Sequence, residues 1–102
     1  MVESFDVIVV GGGPAGGQTA RQLSKSGHKV LLAERYKSFE DNNFSSAGMT
    51  LEPLGEFDLP EKVVGRYWKN LVIQCTKDSY SWTSDEAKGV VLDFAKLRQF
   101  LA

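Results

Sequence analysis

The spacing of apolar residues changes twice within the first third of the chain. Phe5-Asp6-Val7-Ile8-Val9-Val10 is β-branched and apolar on both faces, the signature of a buried parallel strand over residues 5–10. The run stops at Gly11-Gly12-Gly13, and Pro14 follows. Proline suits the first turn of a helix, where its missing N–H costs nothing. Over residues 14–26, Ala15, Thr19, Ala20 and Leu23 recur at helical spacing, with Arg21, Gln22 and Lys25 outside. Gly27 supplies a stop. Lys29-Val30-Leu31-Leu32-Ala33-Glu34 then predicts a second strand. Strand, helix and strand make one βαβ unit, parallel and right-handed.

Beyond Glu34 the pattern is less regular. Residues 36–48 are rich in Ser and Asn and read as a long loop. Leu51 to Gly55 predicts a short turn or helix, and Pro60 to Val64 begins another. Residues 66–76 and 79–83 alternate as strands, with Lys77-Asp78 as the turn between them. Gly89-Val90-Val91-Leu92 predicts a further strand. Asp93 is a fitting N-cap for a helix over 94–101, with Phe94, Leu97, Phe100 and Leu101 on one face. The fold class is therefore α/β: a Rossmann-like βαβ dinucleotide-binding unit, a small antiparallel excursion and a C-terminal helix. Two parallel strands rarely make a stable sheet. The 102 residues are thus expected to be the N-terminal part of an FAD- or NAD(P)-type Rossmann-like domain: a piece of a larger protein, or a shortened gene product that self-associates through exposed apolar faces.

Charge and composition narrow the partners. Twelve Lys and Arg against thirteen Asp and Glu leave a formal net charge of −1, so nothing draws the chain to nucleic acid or an anionic membrane. The single cysteine excludes an internal disulfide framework and a Cys-based zinc site. It makes a reducing, cytoplasmic setting the expectation. Val7 to Val10, the longest apolar run, falls far short of the roughly 20 residues a spanning helix needs. Acids rather than Lys or Arg precede it, opposite to a secretory signal.

The chemistry concentrates where the first strand meets the helix. Gly11, Gly13 and Gly16 form G-x-G-x-x-G between a strand and a helix, the context its mechanism requires. Gly11 permits the tight turn, Gly13 lets the backbone approach a pyrophosphate, and Gly16 brings helix and strand close. Pro14 and Ala15 open the helix, whose free N–H groups and positive dipole end face the phosphates. Glu34 lies eighteen positions after Gly16, near the roughly 20 at which an acid accepts hydrogen bonds from an adenosine ribose. Such a carboxylate disfavours a 2′-phosphate. Arg35 can lie against adenine or reach a phosphate. Each feature has a plainer reading: a glycine-rich turn that binds nothing, a solvated acid at a strand end, a surface arginine.

Asp6 to Gly16, with its GGGPAG core, followed by Ala20, Gly27, Val30 and Glu34-Arg35, resembles the N-terminus of FAD-dependent oxidoreductases. The likeness is to the geranylgeranyl reductase-like and halogenase-like branch of the aromatic-hydroxylase fold, strong over residues 5–35 and loose over 36–102. It implies FAD as cofactor, with Gly11, Gly13 and Gly16 on its pyrophosphate and Glu34 on its ribose. It also implies Ser46 to Met49 near the flavin, although the family often has Cys-Gly-Gly where this chain has Ser-Ala-Gly. The implied substrate is a small molecule, isoprenoid or aromatic, and the implied chemistry is double-bond reduction, hydroxylation or halogenation. The family's C-terminal helix often reads Arg-x-x-Leu-x-x-x-Leu, its arginine approaching the cofactor. Here Phe94 takes the arginine's place; Arg98, one turn on, is either a substitute for that contact or, on the plainer reading, an exposed helix residue. An NAD-dependent dehydrogenase would use the same glycines and Glu34, and a non-catalytic binding module would keep the fold alone.

The remaining residues offer little chemistry. His28 reads as a surface turn residue and Cys75 as a small buried hydrophobe. Tyr67, Trp68, Tyr80 and Trp82 read as cross-strand aromatic packing. The loop acids Asp41, Glu52, Glu56, Asp58 and Glu61 have no metal-ligand spacing. No general acid, base or nucleophile stands out, so the catalytic residues are unassigned.

Overall fold

The computed structural model describes residues 2–102. In chain order the elements are β1 (Val7–Val10), α1 (Pro14–Lys25), β2 (Val30–Ala33), β3 (Gly48–Thr50), α2 (Glu52–Glu56), a 3₁₀ turn at Glu61–Val63, β4 (Val64–Trp68), β5 (Leu71–Gln74), β6 (Ser79–Trp82), β7 (Gly89–Leu92) and α3 (Phe94–Leu101). They divide into two compact units. One holds the chain up to Phe44 together with Phe94–Ala102, and the other holds Ser45–Asp93.

The first unit is the expected βαβ. β1 and β2 run parallel, in register from Val7 opposite Val30 to Val10 opposite Ala33. The Asp6 carboxylate fixes the open end of the pair by accepting the Lys29 amide at 2.8 Å. α1 ends as Gly27 predicts. Gly27 takes φ +92°, its amide donates to Ser24 O, and the His28 amide donates to Leu23 O. These are the paired bonds of a glycine-terminated helix, satisfying carbonyls that would otherwise lack partners. His28 is exposed at this turn, as expected.

α3 packs along α1. Gly17 sits at the contact, where a Cβ would lie 2.9 Å from Leu101 Cβ. The Arg21 guanidinium lies 4.3 Å over the Phe100 ring and donates to Phe100 O at 3.3 Å. Ala20, Ala95, Leu97 and Leu101 are buried. The expectation that β1 is buried on both faces is corrected. Val9 faces α1, its Cγ1 3.5 Å from where a Gly16 Cβ would stand. Ile8 and Val10, on the opposite face, are 62% and 84% exposed. A strand apolar on both sides is suited to two covering layers, and only the α1 side of this one is covered.

The second unit centres on β7, flanked antiparallel by β3 and β4. Val63 and Val90 are fully buried. Between Val64 and Arg66 the register slips against β7, and Gly65 forms the bulge, where a Cβ would approach Val91 O to 3.1 Å. β5 and β6 pair separately as a hairpin, Leu71 opposite Trp82 and Gln74 opposite Ser79.

Four expectations change in this unit. The strand over 66–76 is two strands of different sheets, parted at Lys69-Asn70. The end of the 36–48 loop enters β3, a three-residue strand too short to show alternation. Cys75 is exposed, because every residue of the β5–β6 hairpin is exposed. The aromatics do not pair across strands. Tyr80 and Trp82 stack along the same strand at 6.4 Å, as i and i+2 share a face. Trp68 donates its indole N–H to Val90 O and covers Gly89, where a Cβ would overlap the indole.

Candidate functional site

Three consecutive glycines shape the turn from β1 into α1, each for its own reason. Gly11 adopts φ +103°, a conformation L side chains rarely take. Its amide donates to Ala33 O at 2.7 Å, continuing the pairing with β2 into the turn. Gly12 is buried. A Cβ there would stand 2.9 Å from a Glu34 carboxylate oxygen and 3.3 Å from the Phe39 ring. Gly13 has φ −73° and ψ −179°, ordinary extended backbone, and nothing lies within 4 Å of where its Cβ would be.

That open space is the cradle at the head of α1. The helix begins at Pro14 with no side-chain cap and no acid in its first turn. Pro14 has no N–H, and the amides of Ala15 and Gly16 are too early in the helix for an intrahelical acceptor. Gly16 lies so close to the preceding turn that a Cβ would fall on Gly11 O. Gly11, Gly13, Pro14, Ala15 and Gly16, singled out from the sequence, thus meet in one strand-to-helix corner with the positive end of the α1 dipole.

Glu34, just past β2, turns toward this corner. Its Oε2 accepts the Gly12 amide at 2.7 Å, and its Oε1 accepts the Tyr36 amide at 3.2 Å. The Tyr36 and Gly12 amides hold its carboxyl below the usual range, helped by the Arg35 amide and by the Arg98 guanidinium acting through space. An ionised carboxylate has about four acceptor positions, so room remains for hydroxyl donors. Arg35 is exposed, its guanidinium 4.8 Å over the Tyr36 ring and donating to the Tyr36 hydroxyl at 2.9 Å.

A cavity of about 310 Å³ joins these groups. Its wall includes Gly13, Pro14, Glu34, Arg35, Phe94 and Arg98. A second, of about 290 Å³, continues past Glu34 and Tyr36 along the 37–40 loop. The expectation for Arg98 is corrected here. It is buried, 4% exposed, and donates to Asp41 O at 3.2 Å. It lies between the Phe39 and Phe94 rings. Phe94 holds the position where an arginine was expected and walls the cavity with its ring.

The sequence reading missed two contributors, Gly12, which makes room for Glu34, and the Tyr36 amide, which holds its second oxygen, and it set Arg98 aside as exposed. The first carried a signal, since a third glycine at position 12 is more than the G-x-G-x-x-G pattern demands. Ser46 to Met49 belongs to the second unit, where Ala47 takes φ +47°. Among the described residues no group of His, Cys, Asp and Glu is placed to hold a metal. No helix among them is long and apolar enough to cross a membrane.

Parallel strands joined by a helix, a glycine corner with an open cradle, and a carboxylate at the end of the second strand define a Rossmann-like dinucleotide-binding fold. Residues 6–90 match the family described as DAO, FAD dependent oxidoreductase, and the chain belongs to that FAD-dependent family. It is 34% identical over 104 aligned residues to a digeranylgeranylglycerophospholipid reductase of Haloferax volcanii, an alignment covering 99% of this chain and 25% of that protein. It is 42% identical over 60 residues to the chloroplastic geranylgeranyl diphosphate reductase of Nicotiana tabacum, covering 59% of this chain and 12% of that one. The crystal structure of a geranylgeranyl bacteriochlorophyll reductase-like protein from Thermoplasma acidophilum superposes with a TM-score of 0.83 at 29% identity, over 98% of this chain and 27% of that one. The chain spans about a quarter of the length of the Haloferax volcanii relative.

Proposed function

We propose that this chain is the FAD-binding portion of a flavin-dependent reductase acting on an isoprenoid. One observation carries the reading: at Gly13 the backbone has an ordinary conformation and open space beside it, so the fold itself does not require a glycine there, which supports a ligand lying against the main chain. The residues fit the cofactor. The first-turn amides of α1 and the backbone of Gly11 to Gly16 would hold the diphosphate, with Pro14 starting the helix at no cost in hydrogen bonds. Glu34 would accept the adenosine ribose hydroxyls with its remaining lone pairs. Arg35 would lie along the adenosine side. Bound flavin supplies hydride or electron transfer, and the protein supplies binding, orientation and electrostatics. The relatives' names support an isoprenoid rather than an aromatic substrate and reduction rather than halogenation.

Titration of the 102-residue chain with FAD tests the cofactor assignment. Calorimetry should show one site, and the isolated complex should carry the visible absorbance of oxidised flavin. Binding of NAD in preference to FAD would replace this reading with a dehydrogenase-type site, and binding of neither would leave a fold used only for association. For the reaction, the full-length gene product should saturate a geranylgeranyl chain when its flavin is reduced. Turnover of an aromatic substrate instead would overturn the substrate class.

A further inference from the structure

Arg98 is the buried charge that the glycine corner and Glu34 leave unexplained. It lies in α3, far along the chain from the corner, yet lines the same cavity as Gly13, Pro14 and Glu34. Its guanidinium is 4% exposed. Nη1 donates to a neutral carbonyl, Asp41 O, and Nε is buried with no hydrogen-bond partner. The Phe39 and Phe94 rings lie 5.3 and 5.4 Å from its central carbon. Aromatic faces and one carbonyl soften the cost of burying a cation but supply no counter-charge. A guanidinium does not escape that cost by losing its proton. Glu34, which lines the same cavity, feels it only as the smallest of the influences on its carboxyl, and both Glu34 oxygens are held by backbone amides.

The same cavity is lined by Gly13 and Pro14, at the uncapped, positive end of α1. Two positive features facing one space of about 310 Å³ call for an anion between them. We propose that Arg98 is a diphosphate-binding residue, its guanidinium sharing the phosphate oxygens with the amides at the head of α1, where Gly13 and Pro14 line the same cavity. This deepens the FAD reading and rests on it. In this chain the cation comes from the second turn of α3, because Phe94 fills the first-turn position with a ring. The geometry suits arginine, whose planar fork can hold Asp41 O and a phosphate oxygen together.

Calorimetric titration of the chain and of Arg98→Gln with FAD, ADP and adenosine separates the possibilities. FAD and ADP carry the diphosphate, and adenosine carries only the part that Glu34 and Arg35 would touch. For Arg98→Gln the affinity for FAD and ADP should each fall about ten- to hundredfold, the scale of a lost charge-assisted contact, while adenosine binds as before. Arg98→Lys should recover part of the loss and keep a steeper salt dependence than Arg98→Gln. A merely structural arginine that props the 39–42 loop through Asp41 would weaken all three ligands alike, and that outcome overturns the proposal. So does equal binding of FAD and ADP by wild type and Arg98→Gln. Should Arg98→Gln melt early, the Arg98→Lys comparison still decides: an ADP-to-adenosine affinity ratio unchanged in that folded variant refutes the diphosphate contact. Wild-type protein that binds neither FAD nor ADP would instead sink the cofactor reading beneath it.

Discussion

Two glycines three positions apart should respond to substitution in opposite ways. At Gly16 an alanine Cβ would fall on the carbonyl oxygen of Gly11, with Gly11 C at 3.0 Å and Val9 Cγ1 at 3.5 Å. The obstacle is backbone, so α1 or the glycine turn must move. Overpacking of this kind costs about 1–3 kcal/mol, and alanine's better helix propensity returns no more than about 1 kcal/mol. The expected net loss is about 1–2 kcal/mol, which lowers the melting temperature of a domain this size by roughly 5–10 °C. At Gly13 an added Cβ meets nothing within 4 Å, and φ −73° with ψ −179° is extended backbone that valine adopts readily. Gly13→Val should therefore melt within about 0.5 kcal/mol of wild type, while its FAD affinity falls more than about tenfold because the branched side chain occupies the cradle. Circular dichroism melts and FAD titrations of both variants decide the matter. A Gly13→Val protein that binds FAD as wild type does would refute the cradle. A Gly16→Ala protein as stable as wild type would refute the claim that close approach to Gly11 fixes that glycine.

Acid should expose the role of Glu34. Its folded pKa lies below the ordinary 4.5, chiefly through the Tyr36 and Gly12 amides, so the ionised form is favoured in the native state. The resulting stability is complete above that ordinary value and fades as pH falls below it toward the folded pKa. The melting-temperature gap between wild type and Glu34→Gln should thus be constant at neutral pH and narrow in acid, and a gap that stays constant throughout would contradict the assignment. In the second unit, Ala47 holds φ +47°, which costs an L residue roughly 1–2 kcal/mol. Ala47→Gly should raise stability by about 0.5–1 kcal/mol once the greater freedom of unfolded glycine is deducted, measured as a higher urea midpoint with an unchanged slope.

Local order was legible where neighbouring residues dictate it. The β1–α1–β2 unit follows from a β-branched run, a proline at the helix start and a glycine after its end, and each acts within a few residues. Gly27 illustrates this, since its positive φ and the paired bonds at Leu23 and Ser24 need no tertiary partner. The second unit was less legible because its order is set by pairing across the chain. β7 joins β3 and β4, and the break between β4 and β5 at Lys69-Asn70 reflects which strands each half meets. Cys75 was misread for the same reason. An apolar neighbourhood in sequence says nothing about whether a hairpin is covered, and the β5–β6 hairpin leaves it exposed.

The site shows the same division at finer scale. The glycines and Glu34 could be found because their spacing is a local consequence of running a strand into a helix and back into a strand. Arg98 was named only as a substitute for the expected arginine and set aside, because an arginine on a helix is exposed far more often than not. What buries it is the return of α3 beside the residues that follow β2, bringing Phe39 and Asp41 against it. Phe94 gave the warning. A ring standing where the resemblance calls for an arginine removes a cation from the cavity wall, and the charge requirement of an anionic ligand does not vanish with it. A replacement must then approach the same space from another position, and Arg98 is the arginine that α3 itself brings to that wall. On the proposed reading, a positive charge that shares the cavity with the head of α1 is a better guide to this site than the motif position at which that charge was expected.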